Sequence, residues 1–374
     1  MTCPFDLTNE KVIIPFNEQD PYNPQNILKG FINKRQGQLY GSLWITHVND
    51  KKCEQFVQST PKIDYPFDRN NKWKTYNYDK IELYDKLDGT CIISYTYKDA
   101  KGNLFLTYKT RLRPFLGQNK FGNFYSLWNE MLEKYPDIEE LCFDRYINYA
   151  FELYGKRNKI LIQYDTPLDT KLIFAIFDGN IYAPNGLTYD LNVPKNKGYE
   201  YITESDIQVW YKKWQDFLEY NLQVDEENEI IKGTEGIVIY FIKDGKAKQI
   251  KCKPPTILKY HWGHGGIPTS SIYTTVFNAF ENYDVPTYDD VVELLQEEYD
   301  MDRIEKSKVR IQNTLAQVLF DKNLQYSVID DYKKQGFDIN KDKAACMRWF
   351  GKHYSKNLSK KIYNLLIDYF GKEG

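Results

Sequence analysis

Hydrophobic and polar positions alternate in short runs through the first 265 or so residues of the chain. The runs are rich in β-branched and aromatic residues and fall at 41–47, 90–97, 104–109, 159–164, 171–177, 236–242 and 248–252. Alternation of this length predicts half-buried strands. Turn chemistry separates them: Asp99-Ala-Lys-Gly-Asn103 in one place and Lys243-Asp-Gly-Lys246 in another, the latter set as a tight hairpin. A 3.6-residue period predicts helices over 124–135 and 206–220.

The pattern changes after His261-Trp-Gly-His-Gly-Gly-Ile-Pro268. Beyond this Gly- and Pro-containing stretch the chain reads as helix. Thr287 precedes an amphipathic run through Leu294, Leu295 and Tyr299, and the segment 304–332 continues until Gly336 breaks it. Asn340 is placed to cap a helix running toward Phe350, and 358–370 form a last one. The expected organisation is therefore an α+β unit over 1–266, including an N-terminal extension, and an all-helical unit over 267–374. His261 and His264 have metal-like spacing but only two ligands, so the stretch reads as a linker.

Composition changes this picture little. Of 374 residues 42% are hydrophobic, enough for a sizeable core, and the formal net charge of −2 announces no polyanion partner. The distribution is more telling. From Lys341 to Gly374 eight Lys or Arg stand against three Asp or Glu, a local +5, while 284–302 is acidic. A basic face of this kind can hold nucleic acid on a protein of near-zero total charge. The 32 Tyr, 21 Phe and 7 Trp serve a core first, and base-stacking platforms second. Six scattered cysteines without a C-x-x-C pair suit a reducing compartment, and a cytoplasmic location is expected. Neither a secretory leader nor a membrane span is expected from the apolar runs, and no obligate protein partner is evident.

The segment that carries chemistry is Lys86-Leu-Asp88-Gly89-Thr90, which leads directly into a predicted strand. A lysine amine becomes a covalent nucleophile when it is held rigidly and made neutral or partly desolvated. Gly89 reads as the residue that gives the turn an unusual backbone angle. A second basic element, Lys109, Arg111 and Arg113, falls on one face if the strand from 104 continues.

Lys86-x-Asp88-Gly89 resembles the first motif of the covalent nucleotidyltransferases: ATP- and NAD-dependent ligases and mRNA capping enzymes. Four further motifs similar to theirs follow in order. These are Phe151-Glu152-Leu153-Tyr154-Gly155, Ile176-Phe177-Asp178-Gly179, Glu235-Gly236-Ile237-Val238 and Ile250-Lys251-Cys252-Lys253. The steps are 66 residues from Lys86 to Glu152, then 25 to Phe177, 58 to Glu235 and 16 to Lys251. The likeness spans about residues 41–253. It implies a ligase-type adenylation domain of antiparallel sheets with flanking helices.

The resemblance also implies roles. Lys86 would take AMP from ATP, with Asp88 orienting it and Gly89 in the same motif. Glu152 would contact the ribose, and Phe177 would stack on adenine. Glu235 would bind Mg²⁺ or Mn²⁺, and Lys251 and Lys253 would hold phosphates, as point charges suit. The region around Lys62, Lys109 and Arg111 is similar to phage tRNA-repair RNA ligases, where these positions contact phosphate. An arginine expected further upstream is not apparent near 40–44, which leaves the pyrophosphate contacts unassigned. The related DNA ligases and capping enzymes carry an OB-fold after the fifth motif, whereas here the pattern is helical. The resemblance thus implies an ATP-dependent RNA ligase joining 5′-phosphate and 3′-hydroxyl ends, with tRNA among the candidate RNAs. The alternatives are a GTP-dependent RNA capping guanylyltransferase, and a catalytically inactive nucleotide- or RNA-binding relative.

Overall fold

The alternating runs pair into antiparallel sheets. The computed structural model describes all residues except 1, 9–11, 36, 68–71, 118–122, 145, 159, 161, 190, 202–206, 226–229, 256, 258–266, 268, 297–298, 300 and 372–374. Strands β1 (Ile13–Gln19), β2 (Ile27–Asn33), β3 (Leu43–Val48) and β4 (Lys51–Val57) make a four-stranded meander. Next come β5 (Lys80–Asp85), β6 (Thr90–Lys98) and β7 (Leu104–Lys109), then helices α1 (Phe124–Lys134) and α2 (Asp137–Cys142). Strands β8 (Asn148–Tyr154), β9 (Asp169–Phe177), β10 (Asn180–Tyr182) and β11 (Gly198–Tyr201) precede helix α3 (Ile207–Tyr220). A small ribbon, β12 (Gln223–Asp225) with β13 (Ile230–Lys232), leads to β14 (Ile237–Lys243) and β15 (Lys246–Cys252). Nine strands form one sheet in the order β11-β5-β14-β15-β10-β9-β8-β6-β7.

Period-2 alternation explains how this sheet is covered. One face of β5, β14 and β15 sends Ile81, Leu83, Ile239, Phe241 and Ile250 against Trp210, Tyr211 and Leu218 of α3. The corresponding positions of β6, β8 and β9, including Ile92, Phe151 and Leu172, meet Trp128, Met131 and Ile138 of α1 and α2. Tyr84, Ile93, Phe174, Val238 and Tyr240 lie on the opposite face. Further along β6, Tyr95 and Tyr97 pack on Leu28, Leu43 and Ile45, which docks the meander.

The β14–β15 hairpin turns at Asp244 (φ 50°) and Gly245 (φ 76°), with Lys243 paired to Lys246. Two consecutive left-handed residues match the strand twist, as Asp-Gly predicts. Two expectations fail here. Residues 160, 162, 163 and 164 do not form a strand, and β1, β2, β4, β5, β8 and the short β10 to β13 arise where no strand is read. Residues 13–19 and 27–33 carry Pro15, Asn17, Glu18 and Gly30, which blur the alternation.

From Thr269 onward the described elements are helical: α4 (Thr269–Asn282), α5 (Tyr288–Leu295), α6 (Met301–Lys306), α7 (Lys308–Gln335), α8 (Lys343–His353) and α9 (Ser359–Phe370). Thr287 and Asp290 close a reciprocal capping box on α5. Gly336, at φ 65°, ends α7 in the left-handed cap. The cap of α8 is Asp342, whose side chain accepts from the Ala345 N–H, rather than Asn340. Asn340 instead donates to the Phe370 carbonyl at 2.8 Å.

Helix α7, about 42 Å long at 1.5 Å per residue, joins two apolar clusters. Ile311, Leu315 and Val318 pack with α4 and α5, and Leu324, Val328 and Tyr332 pack with α8 and α9. Contacts among the described residues tie these helices to the rest of the chain. Arg113 pairs with Asp284 at 3.1 Å. The Lys34 ammonium lies 5.1 Å from the Tyr283 ring centre. Arg157 forks onto Glu130 at 2.5 and 2.9 Å while lying 4.6 Å from the Tyr369 ring. Among the described residues no helix is long and apolar enough to cross a membrane.

Candidate active site

Strand β5 ends at Asp85, and the next residue is Lys86. Because β5 pairs with β14 with Asp85 opposite Ile237, the chain carries Lys86 to the start of β14. The Lys86 N–H donates to the Gly236 carbonyl at 2.9 Å. This places the Lys86 ammonium on the carboxylate of Glu235, and Lys253, at the end of β15, donates to the other oxygen. The Glu235 and Lys253 side chains are only 8% and 7% exposed, while Lys86 is 21% exposed. Burial alone would raise the Glu235 carboxyl, but the ammoniums of Lys253 and Lys86 outweigh it and hold the group well below the usual carboxylate range. Gly236, at φ 155°, has no room for a side chain: a Cβ there would lie 2.3 Å from the Cys252 carbonyl oxygen.

Asp88 fixes the other side of the turn. Its Oδ2 accepts from the Ile162 N–H at 2.6 Å, and its own N–H donates to the Tyr164 hydroxyl at 2.7 Å. Gly89 is required for close approach rather than for an unusual backbone angle. A Cβ would lie 2.1 Å from the Leu153 carbonyl oxygen of β8.

These residues line one cavity of about 290 Å³ against the sheet face that carries Tyr84, Val238 and Tyr240. Lys62, Lys86, Asp88, Gly89, Arg111, Glu152, Glu235, Lys251 and Lys253 all reach it. Its lining has two characters. Tyr84, Ile173, Val238 and Tyr240 make an apolar, aromatic surface that suits a flat base. Lys62, Arg111, Lys251 and Lys253 bring positive charge. Lys251 is 8% exposed, its ammonium 4.4 Å from the Tyr65 ring centre. The Arg111 Nε–H is buried without a hydrogen-bond partner among the described residues. Such an orphan donor is costly unless a ligand satisfies it.

Two expected residues are placed elsewhere. Lys109 is fully buried beneath the cavity, and its ammonium donates to the carbonyls of Gly41, Thr110 and Arg111 at 3.0, 2.7 and 2.9 Å. Strand β7 stops at Lys109, so the alternation that would align it with Arg111 and Arg113 does not continue. Its three donors are spent on backbone, and it holds the Arg111 segment rather than a phosphate. Phe177 lies at the end of β9, just before the β9–β10 turn at Asp178 and Gly179, and is 43% exposed. It lies outside the cavity lining, and Ile173 and Phe174 of the same strand take its place there.

Other lining residues escape motif reading. Asn196 and Gln249 lie in the cavity wall, and the Asn196 Oδ1 is buried without a hydrogen-bond partner among the described residues. A face of α4, with Ser271, Thr274, Thr275, Asn278 and Asn282, closes one side. The spacing 271, 274, 275, 278, 282 is helical and could have flagged a polar stripe, but nothing local says what it faces. Among the described residues no three His, Cys, Asp or Glu converge as a metal cluster. His261 and His264 lie outside the described residues.

No family model matches the chain, and no curated protein matches it. Among solved structures it is similar to an archaeal ATP-dependent RNA ligase in two forms. Form 2 has a TM-score of 0.43 at 13% identity, covering 98% of this chain and 99% of that one. Form 1 has a TM-score of 0.41 at 12% identity with the same coverage. A Naegleria gruberi RNA ligase with pyrophosphate has a TM-score of 0.33 at 12% identity, covering 67% of this chain and 98% of that one.

Proposed function

We propose that this protein is an ATP-dependent RNA ligase with Lys86 as its covalent nucleophile. The observation that carries the reading is the convergence of Lys86, Glu235 and Lys253 from three separate motifs on one buried ion-pair cluster at the edge of a cavity. In the proposed cycle the Lys86 amine attacks the α-phosphorus of ATP, forming the N–P bond as the bond to pyrophosphate breaks. The RNA 5′-phosphate then takes the AMP from Lys86, and a 3′-hydroxyl attacks that activated phosphate and expels AMP.

Phosphoryl transfer asks the protein for positioning and charge stabilisation above all. Lys251 and Lys253 supply fixed positive charge at the cavity wall, and Asp88 anchors the loop that holds Lys86. Glu152 is the candidate for the ribose. The aromatic wall of Tyr84 and Tyr240 takes the adenine in place of Phe177. A carboxylate that stays ionised is a hard oxygen donor, and Mg²⁺ commonly uses one or two of these together with substrate phosphates. Glu235 fits that need, with Glu152 in the same cavity, and the ion would neutralise phosphate charge. Residues 1–266 would form the adenylation unit and 267–374 an accessory helical unit.

The test is incubation of the purified protein with α-labelled ATP or GTP and a divalent ion, followed by denaturing electrophoresis. ATP label should stay on the protein, and Lys86→Ala should abolish it. A GTP-specific adduct would favour the capping reading, and label retained by Lys86→Ala would overturn the nucleophile.

A further inference from the structure

The cavity that holds Lys86 is not built by the sheets alone. Helix α4 is sharply two-faced. Ile272, Val276, Ala279 and Phe280 are buried in the helical core. Thr274, Thr275, Asn278 and Asn282 sit on the other face and line the cavity. At 100° per residue they fall within one arc with Ser271. All are uncharged and can donate hydrogen bonds. Thr274, Thr275 and Asn278 form no side-chain hydrogen bond with any described residue, although each is half-buried.

Contacts just beyond this face show what the C-terminal end of α4 adjoins. Asp284 binds Arg113, two residues past Arg111, and Tyr283 meets Lys34. Arg111 itself is held by Gly41, whose carbonyl accepts from Lys109. The C-terminal end of α4 is therefore docked beside the Arg113 segment, and the polar face of α4 lines the same cavity as Arg111. Arg111 brings an unpartnered Nε–H to the same place.

Neutral donors that line one cavity with the Arg111 Nε–H, with no described carboxylate on the helix face, suit an anion with many acceptor oxygens. Resting on the function proposed above, we infer that the polar face of α4, through Thr274, Thr275 and Asn278, binds with Arg111 the β- and γ-phosphates of ATP and the pyrophosphate that leaves. This assigns the pyrophosphate contacts to the helical part of the chain. It makes that part a wall of the nucleotide site in addition to any role toward RNA.

The experiment compares two ligands on the full-length protein by equilibrium binding. One is α,β-methylene-ATP, which cannot transfer AMP, and the other is AMP, which lacks the β- and γ-phosphates. The variant is T274V/T275V/N278L, which removes the donors at similar volume on a partly exposed face. Losing two or three hydrogen bonds to a charged acceptor should weaken the triphosphate by about 100-fold or more. AMP binding should stay within about twofold, since it loses no such contact. A second variant, Asn278→Asp, is nearly isosteric and should weaken the triphosphate further through like-charge repulsion, less so at high salt. Unchanged triphosphate binding, or equal loss for both ligands, would overturn the assignment. The outcome is separable from the reading it rests on. An adduct that forms on Lys86 while triphosphate binding ignores α4 sinks only this inference, whereas absence of any Lys86 adduct sinks the ligase proposal.

Discussion

The Lys86 ammonium and the Glu235 carboxylate lie 149 residues apart in the chain and meet in a charge-assisted hydrogen bond at the cavity edge. Two constraints produce the meeting: antiparallel pairing of β5 with β14, and the Lys86 N–H bond to the Gly236 carbonyl. A carboxyl held as acidic as Glu235 is a poor proton acceptor. Its part toward Lys86 is to hold and aim the amine. In the proposed cycle, the proton that Lys86 loses before attack would go elsewhere.

Removing Glu235 should therefore harm both stability and chemistry. Glu235→Ala leaves two ammoniums facing each other in a site where the lost carboxylate was buried. Breaking a buried pair in this way typically costs about 3–5 kcal/mol. Lysyl-AMP formation should fall on the order of 100- to 1000-fold. The pH dependence has a definite sign. The folded carboxyl is depressed below the unfolded value of about 4.3, so its stabilising contribution is complete above that pH and is lost as pH falls toward the folded value. Urea unfolding of wild type and Glu235→Gln should differ by a constant amount from pH 6 to 8 and converge in acid. Convergence near neutral pH would contradict the geometry.

Lys109 should behave as a structural residue. Burial pushes its amine down to about 7, against about 10.4 in an unfolded chain. Between these values the unfolded state binds more protons, so this group's contribution favours folding increasingly as pH rises from 7 toward 10. Lys109→Met removes the titration and leaves three carbonyls without their donor, at about 1–3 kcal/mol for each one left unsatisfied. The variant should melt lower, and the stability gap to wild type should widen between pH 7 and 9. Folded Lys109→Met protein should still bind AMP normally at low temperature. A selective loss of nucleotide binding with unchanged melting would restore the phosphate role.

Local rules carried the reading where one element decides its own shape. Asp244-Gly245 specifies a hairpin turn, Thr287 with Asp290 a helix start, and Gly336 a helix end, whatever surrounds them. The order of the Lys86, Glu152, Glu235 and Lys251 motifs was legible for a different reason: each residue type is tied to its neighbours in the chain. Lys109 and Phe177 were misplaced because their positions depend on where a strand stops. Strand β7 ends one residue before Thr110, so alternation wrongly aligns Lys109 with Arg111, and β9 turns immediately after Phe177, which the motif likeness had placed against the base. The polar face of α4 was visible as a pattern, but its partner cavity is assembled from residues near 40, 60, 86, 111 and 250. No window on the chain contains both halves.

The basic tail yields the last test. Arg348, Lys352, Lys356 and Lys360 are exposed, and none forms an ion pair with a described residue. Lys341 and Lys343, by contrast, are engaged by Asp338 and Tyr363. Arg348 and Lys352 are four residues apart on α8 and share a face, while Lys356 lies in the 3-10 turn just before α9 and Lys360 in the first turn of α9. None lines the cavity around Lys86. If the tail holds RNA through its backbone, each neutralised phosphate releases counterions, and binding weakens with salt by a slope of about 0.7 per contact on a single strand. Replacing the four residues with Gln should leave lysyl-AMP formation unchanged. It should weaken RNA binding evenly across sequences and reduce the slope of log affinity against log salt by up to about 3, four contacts at that value. Filter binding at several salt concentrations, run beside the adenylation assay, reads both. A salt slope equal to wild type would assign the exposed cations to solubility, and a parallel fall in adenylation would mean that the tail supports the fold of the site itself.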